Sequence, residues 1–457
     1  MTETPTRATY RQVFAVPEYR TLLANFAVFL VSETVQMLAL SVLVYANTGS
    51  ALLAALAYVA GFLPQALGGT VLLAVADRWR PRQLLLSFDA LRFVVAALLA
   101  SGTLPPVAMV LLVFALGGVA PVAQATRTAL LPDLLDGDAY VLGRSLFTVV
   151  SGAMQVLGTA VGGLLLTLTG TTGALWLSAG ACAASAVIVR AGLADRPARA
   201  ARSQDATRSH DATRGQDAAH GQDAAHGQDA IHGQDATRSQ SATSGRGAIG
   251  ETWRVNKALL ADPGIRGLLL AQWLPGAAMV AAEGVVVPYA AGLGREPAAG
   301  LILAAAAGGM LAGEFLVARF VAPQARERLT PWLALVLGIP LTLFLIGPGV
   351  LIAAITMAVA AAGFSYQLGL ARRFLDAVPP ARRGQAFGLA GTGMMTLQGL
   401  AMAAAGALAE VLAPGTVMAI AGAVSLTATA ALWRTLRPQA LPDAAATLAQ
   451  PRPSQPS

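Results

Sequence analysis

Arg20-Thr-Leu-Leu-Ala-Asn25-Phe-Ala-Val-Phe-Leu30-Val-Ser-Glu33-Thr-Val-Gln36-Met-Leu-Ala-Leu40-Ser-Val-Leu-Val-Tyr45 is an almost unbroken apolar run with one carboxylate inside it. A bilayer core of about 30 Å takes roughly 20 helical residues at about 1.5 Å each, so the run is long enough to cross. Glu33 then sits about 18 Å from its start, near the midplane. Asn25, Ser32 and Gln36 share its side of the helix, because spacings of three, four and seven fall on one face. A charge at that depth costs several kcal/mol unless it is protonated, paired or wetted, which makes Glu33 a functional candidate. The plainer reading is a neutral glutamic acid hydrogen-bonded to a neighbouring helix.

The rest of the chain fits a membrane environment. Of 457 residues 55% are hydrophobic and only 12% are charged, about half the charge of a soluble domain. Mean hydropathy is +0.61. The net charge of +7 does not indicate nucleic acid, because the arginines occur in short clusters between apolar runs. The single cysteine, Cys182, excludes a disulfide framework and a Cys-based metal site within one chain. The first 19 residues are polar and the next run is longer than a signal-peptide core, so the expectation is a retained first span.

Apolar segments fall at about 21–45, 52–76, 84–101, 106–125, 145–168 and 173–190, then at 267–291, 298–318, 331–347, 350–370, 386–410 and 415–433. The pattern predicts an all-α membrane protein with twelve transmembrane helices in two six-helix bundles, 1–190 and 263–434. A cytoplasmic linker at 191–262 and a disordered tail at 435–457 complete the division. With the termini and every second loop on one side, that side carries 29 of the 31 Lys and Arg. Cytoplasmic loops collect these residues, so both termini and the linker are expected in the cytoplasm.

The linker holds a six-residue tandem repeat, beginning Ser203-Gln-Asp-Ala-Thr-Arg and Ser209-His-Asp-Ala-Thr-Arg. Small polar residues with no apolar face cannot bury a core, so disorder is expected. All four histidines, His210, His220, His226 and His232, lie in this tract. Metal binding there is conceivable, but a floppy chain preorganises no site, and repeat expansion explains the spacing equally well. A short surface helix over 251–260 is expected to lead into the seventh span.

The halves echo each other. Pro17-Glu-Tyr-Arg20-Thr-Leu-Leu opens the first span and Pro263-Gly-Ile-Arg266-Gly-Leu-Leu the seventh. Gly143, Gly152 and Gly158 match Gly384, Gly393 and Gly399 at one constant offset, and Glu283 is a loose counterpart of Glu33. Paired six-span halves suit a rocking transporter with its site between the repeats.

Between spans 2 and 3 the chain reads Ala76-Asp77-Arg78-Trp79-Arg80-Pro81-Arg82. This loop resembles the signature loop of the major facilitator superfamily, with Asp77, Arg78, Arg80 and Arg82 matching and Leu73 standing at the glycine position. The resemblance implies that the acid and arginines brace a cytoplasmic gate. The corresponding stretch of the second half, Ala318 to Arg328, keeps basic residues without an acid matching Asp77. In span 5, Gly158-Thr-Ala-Val-Gly162-Gly163 provides a Gly-x-x-x-Gly pair for close helix packing. In position it is similar to the antiporter motif of major facilitator drug exporters, with Thr159 in place of proline. Ala125-Thr-Arg127-Thr-Ala-Leu-Leu-Pro132-Asp133 and Arg382-Arg383-Gly384-Gln385-Ala386-Phe387-Gly388 resemble the enterobactin-exporter and macrolide-efflux branch.

Asp89 and Arg92 are three apart in span 3, about 9–13 Å from the cytoplasmic edge, and are expected to pair as a structural or gate element. Arg127 joins Asp77, Arg78, Arg82, Asp89 and Arg92 as a gate candidate. Glu33, Gln36, Gln155, Glu283 and Tyr289 are the candidates for substrate or proton binding. Gly158, Gly162, Gly163 and Gly399 are packing positions. No histidine outside the repeat, phosphate loop or metal cluster supports an enzyme, and no cofactor is called for. Without an ATPase signature, transport would draw on an ion gradient. Proton coupling is favoured, since desolvation raises a carboxyl pKa by up to several units.

The expectation is thus a monomeric, proton-coupled exporter of a small amphipathic molecule. Lys257 alone against 30 Arg suggests a GC-rich bacterial gene and hence a plasma-membrane home. The alternatives are an uptake carrier for a nutrient or lipid on the same fold, and a transport-inactive receptor or scaffold.

Overall fold

The computed structural model describes residues 9–61, 64, 79–197, 253–295, 298–379 and 382–437. Helices α1 (Tyr10–Ala15), α2 (Pro17–Thr48), α3 (Ala51–Val59), α4 (Pro81–Ala100), α5 (Pro106–Leu134) and α6 (Gly137–Gly192) make the first half. A surface helix α7 (253–261) follows. The second half comprises α8 (Pro263–Glu283), α9 (Val286–Gly292), α10 (Ala298–Phe320), α11 (Pro323–Gly338), α12 (Val350–Ala362), α13 (Tyr366–Ala377), α14 (Arg383–Leu408), α15 (Pro414–Ala431) and α16 (Trp433–Leu436). No strand occurs among the described residues.

Proline and glycine punctuate these helices as their backbones dictate. Pro17, Pro81, Pro106, Pro263, Pro323 and Pro414 sit in first turns, where a missing N–H costs nothing. Gly49 ends α2 in the left-handed region (φ 66°), and Ser50 then caps α3 by accepting from the Leu53 N–H. Gly170 (φ 69°) breaks the long α6 into two crossings, spans 5 and 6. Span 7 is interrupted between α8 and α9, and span 10 by a 3₁₀ turn at Gly363–Ser365. Among the described residues nine helices are long and apolar enough to cross, one of them α6 with its two crossings. α14 lies at span 11 and α3 at the start of span 2, most of which falls outside the described residues.

Leu168, Phe315, Ile346 and Leu351 are among the many large apolar residues left exposed on these helices. So many exposed large apolar side chains on long apolar helices suit acyl chains, not water, as their solvent.

The side opposite the termini is called outer here. Near that side the halves meet through two related pairs of helices. Span 5 meets span 8 where a Cβ on Gly163 would lie 2.5 Å from the Gly300 carbonyl oxygen. Span 11 meets span 2 where a Cβ on Gly406 would lie 2.7 Å from the Ala55 Cβ. Spans 5 and 11 occupy matching places in the two halves, as do spans 2 and 8, so the seam has the pseudo-twofold character of paired repeats.

Candidate functional site

Inside the first half, Asn25 joins three other helical segments. Its side-chain N–H groups donate to Asp89 Oδ2 at 2.9 Å and Ser185 Oγ at 2.7 Å, while its Oδ1 accepts from Arg127 Nε at 2.9 Å. The Ser185 hydroxyl donates to the same Asp89 oxygen at 2.9 Å. Arg92 reaches the Phe29 carbonyl and the Ser32 hydroxyl, each at 3.4 Å. The Phe29 ring has the Arg92 guanidinium 4.5 Å and the Arg127 guanidinium 4.6 Å from its centre, which offsets part of their lost hydration. Asn25, Asp89, Arg92 and Arg127 are all essentially buried.

Two guanidiniums against one Asp89 carboxylate leave an excess positive charge, and Glu33 lies within electrostatic reach of Arg127 to offset it. Glu33 is half-buried and shares a small pocket with Gln36, Arg92 and Gly61, walled by apolar side chains such as Met37 and Phe88. The space suits a water molecule or two and is too small for a drug-sized solute. Among the described residues Gln36 Oε1 and Arg92 Nη1 are buried there without a protein partner, one an acceptor and one a donor. A water between them would satisfy both.

The candidates do not gather in one place. Glu33 and Gln36 lie together with Arg92. Glu283 ends α8 in the other half, within electrostatic reach of Tyr58 across the seam. Tyr289 is a brace: its hydroxyl donates to the Pro348 carbonyl at 2.5 Å, and its ring stands edge-on to Phe344. Gln155 lies on span 5 with its side chain outside the described part.

Of the gate candidates, Asp77 and Arg78 fall outside the described residues. Arg82 donates to the Arg190 carbonyl within the first half, and its neighbour Arg80 pairs with Asp195, just past the end of α6, at 2.8 Å. Asp89, Arg92 and Arg127 also make all their hydrogen bonds named above within the first half. In this conformation they join helices within one bundle. Gly158 and Gly162 face α2, where Cβ atoms would meet Thr34 and Val35. Gly163 forms the seam with span 8, and Gly399 is buried in α14.

Sequence reading missed Ser178 and Ser185, which with Cys182 form a small-residue stripe along span 6 facing Ser32 and Asn25. The i, i+4, i+7 spacing was the available signal. It also missed Glu410, in the outer turn after α14. Glu410 Oε1 accepts from Ser50 Oγ at 2.7 Å and from the Leu52 N–H at 2.9 Å. The Ser50 hydroxyl and the α3 backbone N–H groups hold its carboxyl below the usual range.

The family description Major Facilitator Superfamily matches residues 21–374. The chain belongs to the major facilitator superfamily. No curated protein sequence matches it. Among solved structures of this fold, the nucleoside transporter NupG is similar with a TM-score of 0.58 at 15% identity, covering 92% of this chain and 99% of that one. The xylose transporter XylE from E. coli, solved inward open, has a TM-score of 0.59 at 14% identity, covering 93% and 96%. An inward-facing bacterial homologue of the iron transporter ferroportin has 0.57 at 15%, covering 94% and 98%. As a major facilitator protein, the chain is a multi-pass membrane transporter with the fold that its hydropathy pattern predicts.

Proposed function

We infer that this transporter exports a small amphipathic molecule from the cytoplasm in exchange for protons, and that Glu33 carries the proton. One observation supports this most: a half-buried carboxyl opens on a water-sized pocket beside two buried guanidiniums. With Glu33 ionised, the set Glu33, Asp89, Arg92 and Arg127 is neutral; with Glu33 protonated, it carries one net positive charge. A buried charge imbalance is costly, so gaining or losing the proton favours different packings of α2 against α4 and α5. The likeness to the efflux branch supports export, and the basic loops support cytoplasmic termini in a bacterial plasma membrane. The closed outer seam supports reading this conformation as inward-facing.

The test is Glu33→Gln in vesicles carrying an imposed pH gradient. Hydrophobic cations and antibiotics are screened for accumulation in inside-out and right-side-out preparations. Accumulation in inside-out vesicles is expected, with gradient-driven flux reduced at least tenfold in the variant and equal protein in the membrane. Undiminished pH-driven flux in the variant would remove Glu33 from the mechanism. Accumulation in right-side-out vesicles only would turn the reading to uptake.

A further inference from the structure

At the outer seam, the end of span 11 adds a second capping group to a helix in the other half. The first backbone N–H groups of a helix have no partner within it, and a carboxylate placed there gains both hydrogen bonds and the favourable end of the helix dipole. α3 begins at Ala51 with Ser50 as its own cap, the serine oxygen taking the Leu53 N–H. Glu410 Oε1 takes the Leu52 N–H and the Ser50 hydroxyl hydrogen. The two halves therefore share one capping arrangement, with the serine contributed by one and the carboxylate by the other. One turn earlier on span 11, Gly406 lets the backbones of α14 and α3 touch, which brings Glu410 within reach.

We propose that Glu410 is a positioning residue for alternating access: a trans-acting cap of α3 that holds the outer side shut and must leave that helix end before the outer side can open. Charge and geometry divide the work. Oε1 needs only to be an acceptor for the two hydrogen bonds, whereas the attraction to the helix end needs the negative charge. Rocking the halves apart at this side separates Glu410 from α3 but leaves Ser50 capping Leu53. The latch therefore costs the outward state a contact without unravelling span 2. The cap is exposed to solvent, so its contribution is that of a screened surface interaction.

This inference rests on the alternating-access reading but not on the cargo or the coupling ion, because its test uses neither. Spin labels are placed at Asn47→Cys, at the outer end of α2, and at Ile346→Cys, in an outer turn of the second half, in a Cys182→Ala background. The distance distribution is measured without substrate and without a gradient. Glu410→Ala is expected to raise the long-distance, outward-open population about three- to tenfold, the range for losing a capping side chain at a screened site. Glu410→Gln keeps the acceptor and loses the charge, so it should fall between Ala and the parent. Val411→Ala, next door and exposed, should leave the distribution unchanged. A Glu410→Ala distribution superimposed on the parent's overturns the proposal, as does a shift of equal size in Val411→Ala. If Glu410→Ala does not accumulate in folded form, an unchanged Glu410→Gln overturns it instead.

Discussion

In the first half, buried helices are joined through ionisable side chains, with Asp89, Arg92 and Arg127 arranged around Asn25. Hydroxyl-to-carbonyl bonds occur in both halves, as from Tyr19 to Gly143 in the first. Among the described residues of the second half, however, the buried helices are joined chiefly by neutral donors on backbone carbonyls and by bare backbone. Tyr366 donates to the Ala271 and Gln272 carbonyls, Tyr289 to Pro348, and Trp273 Nε1 to Ala390 at 2.8 Å. Gly309, Gly313 and Gly338 sit against the backbone of Ala358, Ala362 and Gly422. Two bundles of the same topology thus answer one problem, satisfying polar groups out of water, by different means. The ionic solution costs more desolvation and can respond to a proton, while the neutral solution is passive. On the proposed function, that difference would place the proton-responsive set around Glu33 in the first half, with Glu283 as an ionisable group of the second half's own at the end of α8.

The comparison breaks most visibly at Asp89. Asp89→Ala removes the carboxylate that faces Arg127 and Arg92 and leaves two buried guanidiniums with like charge. Stripping one partner from a buried ionic set costs about 3–5 kcal/mol. The expected outcome is little or no folded protein, or a melting temperature in detergent lowered further than by any substitution suggested below. A melting temperature within a few degrees of the parent would mean that the ionic set is not what holds the first half together.

Much of this division could be read from the sequence, and the part that could not has a definite cause. Hydropathy runs, Pro and Gly punctuation and the glycine offset between halves are local properties, and they foretold the twelve crossings and the paired bundles. Glu33, Gln36 and Asn25 were singled out on one face of span 1 because helical periodicity fixes that face. The partners were not legible. Ser185 is 160 residues from Asn25 and Glu410 is 360 from Ser50, and no pattern within one helix states which helix it will touch. The same limit applies to Asp89, Arg92 and Arg127: the i, i+3 spacing puts Asp89 and Arg92 on one helix face, but their contacts with α2 and span 6 needed the packing. Tyr289 was read as a candidate for substrate or proton binding, and its hydroxyl bond to the Pro348 carbonyl could be seen only in the packing.

The neutral half is more sensitive to volume than to charge. Gly309 lies so close to the Ala358 carbonyl that any Cβ would collide with backbone, and backbone, unlike a flexible side chain, cannot turn aside. Gly309→Val should therefore push α10 away from α12 and cost about 3 kcal/mol. Thermal unfolding in detergent checks this. If the halves differ as described, Gly309→Val lowers the melting temperature without changing the pH dependence of any residual flux.

The smallest effect tests the hydroxyl-to-carbonyl part of the scheme. Pro275 sits inside α8, and a proline there removes the N–H that would have bonded the carbonyl four residues earlier, at Ala271. In a soluble helix water can take that carbonyl; in a buried one a protein donor must. Tyr366 supplies it from span 10, its hydroxyl 3.0 Å from the Ala271 oxygen and 2.8 Å from that of Gln272. Tyr366→Phe keeps the ring, which is fully buried, and deletes only this donor. The expected loss is about 1–2 kcal/mol, the cost of a buried acceptor left without its partner. Pro275→Ala restores the helix's own N–H for the Ala271 carbonyl. In that background the same Tyr366→Phe change should cost less than half as much, and the two melting-temperature shifts should be clearly non-additive. Equal shifts in both backgrounds would mean that the hydroxyl matters for some reason other than the carbonyl that proline sets free.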